Sequence, residues 1–195
     1  MKYNIPNDQN EVLSNIPGLV SNDEIALSEF EGFLNAEIIL SESLTKRTKF
    51  NINYILKIHK IALSHLYSFA GKYRDVNLSK GGFLFATARF LPATMKAFEQ
   101  EVLLNLPNVY SNREELIRDI AIVHGELLFI HSFREGNGRT ARILANLMAR
   151  KQGYKSLLFE KIDEKEFEFY VSAVQQAAEK NYEKMEQLIR TIFPN

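Results

Sequence analysis

Apolar residues recur with a helical period along most of this chain. From Ser21 the segment SNDEIALSEFEGFLNAEIIL repeats them about every 3.6 residues, and two acids stand in its first turn, where the helix dipole favours negative charge. We therefore predict a first helix with one misfit, Gly32. The same spacing predicts a second helix over residues 51–67. The apolar positions of the first helix are Ile25, Phe30, Phe33, Leu34, Ile38 and Leu40.

Five more helices are predicted from their start and stop signals. The first of them begins at Pro92 and ends at Pro107, because proline fits the first turn of a helix and cannot continue one. Next, Ser111 and Glu114 have the spacing of a capping box, which predicts a long apolar helix after them. This helix runs up to a polar loop, residues 131–142.

The helix after that loop ends at Gly153, a residue suited to the left-handed position that closes many helices. A second capping box, Asp163 with Glu166, predicts the following helix. The last predicted helix has apolar residues at Met185, Leu188, Ile189 and Ile192.

One segment has the alternating pattern of β-strands instead. The turn candidate Ser79-Lys80-Gly81-Gly82 is flanked on both sides by alternating apolar residues, which predicts a short hairpin. Residues 1–20 are polar and are predicted to form an irregular arm, and residues 21–195 a single domain. The predicted fold class is all-α with one short β-hairpin. The alternating apolar residues are Val76, Leu78, Phe83 and Phe85.

Composition narrows the classes of function. The chain has 195 residues, 24 Lys and Arg against 24 Asp and Glu, and no cysteine. Zero net charge argues against a nucleic-acid partner, and the lack of cysteine excludes disulfides and thiolate metal sites. No apolar run reaches the roughly 18 residues of a membrane span, and the N-terminus lacks the apolar core of a secretory signal. We expect a soluble cytoplasmic protein without a membrane partner.

The loop HSFREGNGRTAR, residues 131–142, concentrates residues suited to phosphate chemistry. Gly136 and Gly138 allow the backbone to turn sharply and to direct its N–H groups at an anion where a helix begins. Arg139 and Arg142 follow three residues apart, near the positive end of that helix. Two cations there are unfavourable alone, so a polyanionic ligand is the natural compensation.

Three other residues of the loop have separate interpretations. Glu135 either pairs with an arginine or holds Mg²⁺, which typically uses one or two carboxylates together with substrate phosphates. His131 ends an apolar helix beside the predicted phosphate site and is a candidate general base. Phe133 is expected to be a buried anchor that seats the loop in the core.

The pattern H-x-F-x-E-G-N-G-R-x-x-R resembles the active-site motif of the Fic family, H-P-F-x-[D/E]-G-N-G-R-x-x-R. Ser132 stands where proline is usual, which affects the rigidity of the turn and removes no reactive group. Residues 68–86 resemble the hairpin, or flap, that lies over the active site in Fic proteins. Together with the helices from about Ser21, the resemblance covers most of the chain and implies the mainly helical Fic fold.

The resemblance implies transfer of AMP from ATP to a Ser, Thr or Tyr hydroxyl of a target protein, with release of pyrophosphate. His131 would be the general base, and Glu135 would hold Mg²⁺. Arg139 and Arg142 would bind the outer phosphates. The related Doc proteins, which transfer phosphate, have a lysine after the asparagine of this turn. Gly138-Arg139 stands there in this sequence and favours the AMP-transferring branch. The anion hole would consist of Gly136, Asn137 and Gly138.

The hairpin would form the edge on which an extended target segment docks, although an ordinary surface hairpin is the alternative. A catalytically silent nucleotide-binding domain that acts as a protein-interaction module is the alternative to the enzyme. It would bind ATP without labelling a target. The residues of the docking edge would be Lys80, Gly81, Gly82, Phe83 and Phe85.

Many Fic proteins are inhibited by a helix with the pattern [S/T]-x-x-x-E-[G/N], whose glutamate pairs with the second motif arginine. Glu31 and Gly32 match the end of this pattern, but Leu27 replaces its Ser or Thr. Glu31 is therefore a candidate inhibitory partner of Arg142, and a solvated helix residue is the alternative. A separate antitoxin chain is another source of restraint. The remaining histidines, His59, His65 and His124, are expected to be structural.

Overall fold

The structure is a computed structural model that describes residues 12–80 and 82–194. Within these residues the chain forms seven α-helices and one two-stranded antiparallel sheet, as the sequence predicts. None of the described helices is long and apolar enough to cross a membrane. The helices are α1 (Asn22–Glu42), α2 (Ile52–Leu63), α3 (Leu91–Glu101), α4 (Arg113–Ile130), α5 (Asn137–Lys151), α6 (Glu164–Ala177) and α7 (Glu183–Ile192), and the strands are β1 (Ser79–Lys80) and β2 (Phe83–Leu84).

Helices α4 and α5 form the centre of the fold. Helix α4 packs against α3, α5, α6 and α7, whereas α5 packs against α1, α2 and α4. Both helices therefore bury apolar residues around most of their circumference, as expected for helices enclosed by others. The loop that joins them, residues 131–136, begins and ends inside the protein.

Most of the predicted helix boundaries are confirmed, and three are wrong. Helix α4 is capped by Asn112, whose Oδ1 accepts a hydrogen bond of 3.0 Å from the N–H of Glu115. The capping box is thus one residue later than predicted, because asparagine caps as well as serine and Glu115 bonds back to the N–H of Ser111.

Helix α2 ends at Leu63, four residues earlier than predicted. Helix α3 ends at Glu101, before the predicted end at Pro107, because a separate 3-10 turn follows at Leu103–Asn105.

The other signals are confirmed. Asp163 accepts a hydrogen bond of 3.1 Å from the N–H of Glu166 at the start of α6, and Gly153 after α5 has φ of 89°. In the irregular arm predicted for residues 1–20, the described part, residues 12–20, contains no helix or strand. The rest of that arm lies outside the described residues.

The hairpin has a shorter turn than predicted. Ser79 pairs with Leu84 and Lys80 pairs with Phe83, so both Ser79 and Lys80 belong to a strand. The connection is a two-residue loop whose second member, Gly82, has φ of 80°. Such loops favour glycine because their central residues need positive φ. The first member, Gly81, lies outside the described residues.

Helix α1 departs from the prediction that its apolar residues face one core. Ile25, Phe33 and Leu40 are buried, but Phe30 and Leu34 are half exposed. The misfit Gly32 lies on the buried side, where an added Cβ would stand 2.0 Å from the carbonyl oxygen of Ala62. Glycine at this position therefore allows α1 to pack closely against the backbone of α2 at Ala62.

Candidate active site

Two left-handed residues bound the loop between α4 and α5. His131 closes α4 with φ of 53° and ψ of 55°, and Gly136 precedes α5 with φ of 75°. Left-handed backbone is uncommon for residues other than glycine, so His131 is held there by its surroundings. An added Cβ on Gly136 would lie 2.8 Å from the ring of Phe33, so this position requires glycine for space as well as for backbone angle.

The side chain of Asn137 fixes the loop from within. Its Oδ1 accepts a hydrogen bond of 2.8 Å from the N–H of Phe133, and its Nδ2 donates one of 2.7 Å to the carbonyl of Phe133. Asn137 is buried and both polar atoms of its side chain are used in these bonds, so in this structure the side chain braces the loop. Phe133 itself is fully buried, which confirms that it anchors the loop.

His59 supports the same loop from α2. Its ring stacks on Phe133 with 3.9 Å between ring centroids. Its Nδ1 accepts from the N–H of Gly71 at 2.8 Å, so Nε2 carries the proton and donates to the carbonyl of Glu135 at 3.0 Å. Burial lowers the pKa of His59 to about 4, and the ring is neutral at pH 7. His59 has the structural role that the sequence predicted.

Arg74 links the hairpin to the loop, and sequence analysis missed it. Its buried guanidinium donates from Nε to the carbonyl of His131 at 2.7 Å, from one Nη to the carbonyl of Val76 at 2.6 Å, and from the other to that of Ala86. Its own N–H donates to the carbonyl of Ser132 at 3.0 Å. Burial lowers the pKa of Arg74 to about 10, so the group remains charged at pH 7.

The imidazole of His131 is buried and has a defined tautomer. Its Nδ1 lies 2.9 Å from the carbonyl oxygen of Leu128, which can only accept, so Nδ1 carries the proton of the neutral ring. Nε2 is therefore the nitrogen with the lone pair. Burial lowers the pKa of His131 to about 4, which makes the neutral form dominant at pH 7. This is the protonation state that a general base requires.

A cavity of about 530 Å³ lies beside His131. The hairpin lines it with Lys80, Phe83 and Phe85, and the loop and α5 contribute polar groups. Helix α6 forms the opposite wall, which sequence analysis did not assign to the site because its apolar residues fit an ordinary core face. The lining residues from α6 are Phe167, Tyr170, Val171, Val174 and Gln175.

The inner face of the hairpin covers the histidine. The ring of Phe85 stacks on that of His131 with 3.8 Å between centroids, and Phe83 contacts Phe129 of α4 edge-on at 6.2 Å. Leu84, between them, points outward and is 75% exposed. The side chains of Phe83 and Phe85 thus belong to the roof of the cavity, whereas Lys80 and Gly82 are exposed at the tip.

The two arginines of α5 contact different neighbours. Arg139 donates to Glu29 of α1 at 2.5 Å, to Glu135 at 3.2 Å, and lies over the ring of Phe33. Arg142 lies over the ring of Phe159, and its buried Nε has no acceptor among the described residues. Both arginines line the cavity, but only Arg142 has an unsatisfied donor.

The predicted pair between Glu31 and Arg142 is wrong. Glu31 is exposed, and the carboxylate that reaches the motif is that of Glu29, which pairs with Arg139 and also accepts from Tyr67 at 2.8 Å. Two residues along a helix correspond to a rotation of about 200° about its axis, so Glu29 and Glu31 lie on nearly opposite sides and cannot face the same neighbour. The alternative interpretation of Glu31 as a solvated residue is confirmed.

Glu135 pairs with an arginine and also lies at the cavity. Its Oε1 accepts from the N–H of Gly136 at 2.8 Å and pairs with Arg139, and the side chain lines the cavity. The described residues contain no group of three His, Cys, Asp or Glu side chains that could hold an ion. A single carboxylate suits a cation such as Mg²⁺ that takes its other ligands from phosphates and water.

The other two histidines are structural in the described part of the chain. His124 is buried, with Nε2 2.9 Å from the hydroxyl of Tyr170 and Nδ1 3.3 Å from the carbonyl of Ala141. His65 lies 3.0 Å from the hydroxyl of Ser28. These contacts hold neighbouring segments together, and neither His65 nor His124 is among the residues that line the cavity.

Comparison with known proteins identifies relatives of this chain. The model of the Fic/DOC family matches residues 49–149, more than half of the chain. A protein adenylyltransferase Fic from Nematostella vectensis is 29% identical over 162 residues, which are 80% of this chain and 36% of that protein. The protein adenylyltransferase VbhT from Bartonella schoenbuchensis is 32% identical over 106 residues, 54% of this chain and 22% of VbhT. The chain thus spans about a third or less of these relatives' length.

Solved structures share the arrangement of the helices. The BepC protein from Bartonella tribocorum, crystallised with bound AMPPNP, matches 95% of this chain and 94% of its own with a TM-score of 0.79 and 18% identity. The N-terminal Fic domain of Bep8 from Bartonella sp. 1-1C matches 95% and 92%, with a TM-score of 0.78 and 21% identity. At these identities the likeness shows the fold.

The protonation state of His131 can be measured directly. Because burial disfavours the imidazolium, we expect the ring to remain neutral as the pH falls from 7 to 5 and to titrate with a midpoint near 4. Nitrogen-15 NMR of the labelled imidazoles gives both the midpoint and the tautomer, and His131→Asn assigns the signal. A midpoint near 6.5, the value of an exposed histidine, or a proton on Nε2 would contradict this description.

Proposed function

The chain belongs to the Fic/DOC family, and on that premise we propose that it transfers AMP from ATP to a Ser, Thr or Tyr hydroxyl of a target protein. One observation carries the proposal. The neutral imidazole of His131, with its lone pair on Nε2, lines the same cavity as the start of α5 and Arg142, whose buried Nε has no acceptor among the described residues. A base and a polyphosphate site thus share one cavity. The relatives named protein adenylyltransferases support the same activity.

The start of α5 and Arg142 would bind the phosphates. No side chain caps α5 at Gly136, so its first N–H groups are available to an anion, and the space at Gly138 is open. Arg142 supplies a donor without an acceptor in the described residues, and a phosphate oxygen would satisfy it. Arg139 contributes positive charge to the cavity, but Glu29 and Glu135 already share its guanidinium.

Glu135 would hold the Mg²⁺ that accompanies ATP. Its carboxylate lines the cavity beside the start of α5. When bound, the ion neutralises part of the phosphate charge and thereby makes the leaving pyrophosphate more stable. The pair between Glu135 and Arg139 orients this buried carboxylate before nucleotide arrives.

His131 would act as the general base. Its Nε2 takes the proton of the target hydroxyl as that oxygen attacks the α-phosphorus of ATP. A bond forms between the oxygen and the α-phosphorus, the bond from the α-phosphorus to the bridging oxygen breaks, and pyrophosphate leaves with that oxygen. The bond from Nδ1–H to the carbonyl of Leu128 stabilises the imidazolium that results. The phosphates raise the pKa of His131 from about 4, because a nearby anion favours the charged ring.

The hairpin would present the target. The described sheet has only two strands, so an extended target segment would bond to its outer edge near the exposed Lys80 and Gly82. Phe83 and Phe85 would then support that segment from beneath. The other proposed residue of this edge, Gly81, lies outside the described residues.

The second candidate is a catalytically silent domain that binds nucleotide and a partner protein. The stacking of Phe85 on His131 favours it, because the ring covers one face of the base. In that case the protein binds ATP but no target becomes labelled. Control by a separate antitoxin chain is compatible with either candidate.

His131→Ala tests the enzyme. Because the base contributes on the order of 10²–10⁴ in rate, we expect at least about a hundredfold slower labelling of proteins by ATP labelled on the α-phosphate. The matched control is His65→Ala, which removes an imidazole that does not line the cavity and should leave labelling unchanged. Equal labelling by wild type and His131→Ala would refute the role of the base. Binding of Mg·ATP by the wild type without labelling would favour the silent domain.

The two arginines should respond differently to removal. We expect Arg142→Ala to weaken binding of Mg·ATP by about tenfold or more, since a charged hydrogen bond contributes roughly 1.5–3 kcal/mol, with little change in thermal stability. Arg139→Ala leaves Glu29 buried beside Tyr67 without its cation, so it should lower the free energy of unfolding by about 2–4 kcal/mol.

Calorimetric titration with Mg·ATP and thermal unfolding of both variants measure the two effects. The opposite pattern, with Arg139→Ala stable and Arg142→Ala unfolded, would show that the roles are exchanged.

A further inference from the structure

Helix α1 has a second apolar face that nothing in the described structure covers. Four large apolar side chains follow one another at separations of three and four residues, which places them on one side of the helix. We name them the outer row. Its members and their exposed fractions are Leu27 (59%), Phe30 (61%), Leu34 (50%) and Ile38 (49%).

The outer row is separate from the face that packs on the core. With about 100° between successive residues, its centre lies about 155° around the helix from the centre of the buried face. That buried face includes Ile25, Gly32, Ala36 and Leu40, which pack towards α2 and α5. The outer row exposes an apolar surface on the order of 300–400 Å², the size that on soluble proteins commonly marks an interaction site.

The charged side chains of α1 itself are all acidic. Residues 22–42 contain no Lys or Arg. Glu24, Glu31 and Glu42 follow at intervals of two and three helical turns, so they form a line along one flank of the outer row. All three are exposed, and none has an ion pair in the described part of the chain. The flank is therefore an unpaired acidic edge.

We propose that the outer row docks an amphipathic helix of a partner protein that carries basic residues beside its apolar face. The apolar face of that helix covers Phe30 and Leu34, and its Lys or Arg side chains pair with Glu24, Glu31 and Glu42. Packing of this kind buries about four side chains on each helix, and opposite charges at the edge fix the orientation.

The acidic edge distinguishes this partner from two other occupants. A second copy of α1 offers no basic residue, and an antiparallel pair related by a two-fold axis places the two acidic edges side by side. An anionic membrane surface is repelled by the same carboxylates. A basic helix is the occupant that satisfies both the apolar and the charged features.

A synthetic helix tests the proposal without reference to the catalytic site. The probe is a fluorescent peptide, long enough to span α1, with leucines on one face and lysines on both flanks. Its partner peptide has glutamates in place of the lysines. Fluorescence anisotropy with the intact protein should show saturable binding of the lysine peptide, weaker at high salt, and at least about tenfold weaker binding of the glutamate peptide.

Variants of the protein locate the binding. The double variant Phe30→Asn, Leu34→Asn should bind the lysine peptide about tenfold or more weakly than the wild type. Replacing Glu24, Glu31 and Glu42 with Gln should weaken binding of the lysine peptide and make that binding less dependent on salt. The matched control is Leu104→Asn, a leucine outside α1 that is 65% exposed and should have no effect. Circular dichroism establishes that each variant is folded.

Three results would overturn the proposal. The first is equal binding of the two peptides, or none. The second is binding that does not change in the double variant Phe30→Asn, Leu34→Asn. The third is a dimer in analytical ultracentrifugation, or binding to vesicles of phosphatidylcholine and phosphatidylserine, that this double variant abolishes. That result would assign the outer row to a second copy or to a membrane.

Discussion

The buried guanidinium of Arg74 is the interaction on which the geometry of the site depends. A charge inside a protein is costly unless every donor is satisfied, and here the donors are satisfied by carbonyls of the loop and of the hairpin. One of those carbonyls belongs to His131, which occupies left-handed backbone. Arg74 therefore fixes the position of the imidazole and the height of the hairpin above it at the same time.

Much of this site could be predicted from local sequence, because its chemistry lies in twelve consecutive residues. The glycines, the histidine and the arginines of the loop indicated an anion site between two helices, and the structure places them around one cavity. Arg74 and Glu29 could not be predicted in the same way. Each lies far from the loop along the chain, and a single Arg or Glu in a polar segment is usually solvated. Their burial follows from tertiary packing, which no local pattern contains.

The orientation of helix α1 also could not be predicted from local sequence. Its apolar residues fit a helical period, so the helix was predicted, but the period does not say which apolar residues face the core. Gly32 decides this, because only a residue without a side chain allows α1 to approach Ala62. That contact directs Glu29 towards Arg139 and leaves Leu34 in solvent. One close backbone approach thus shapes both the site and the outer surface.

The most direct test of the account is a crystal structure of the protein with Mg²⁺ and a non-hydrolysable ATP analogue. We predict that the phosphates bond to backbone N–H groups at the start of α5 and to Arg142, with the α-phosphate on the side of His131 Nε2. Arg74 should keep its bond to the carbonyl of His131. A nucleotide bound away from the start of α5, or an imidazole turned away from its phosphates, would contradict the account.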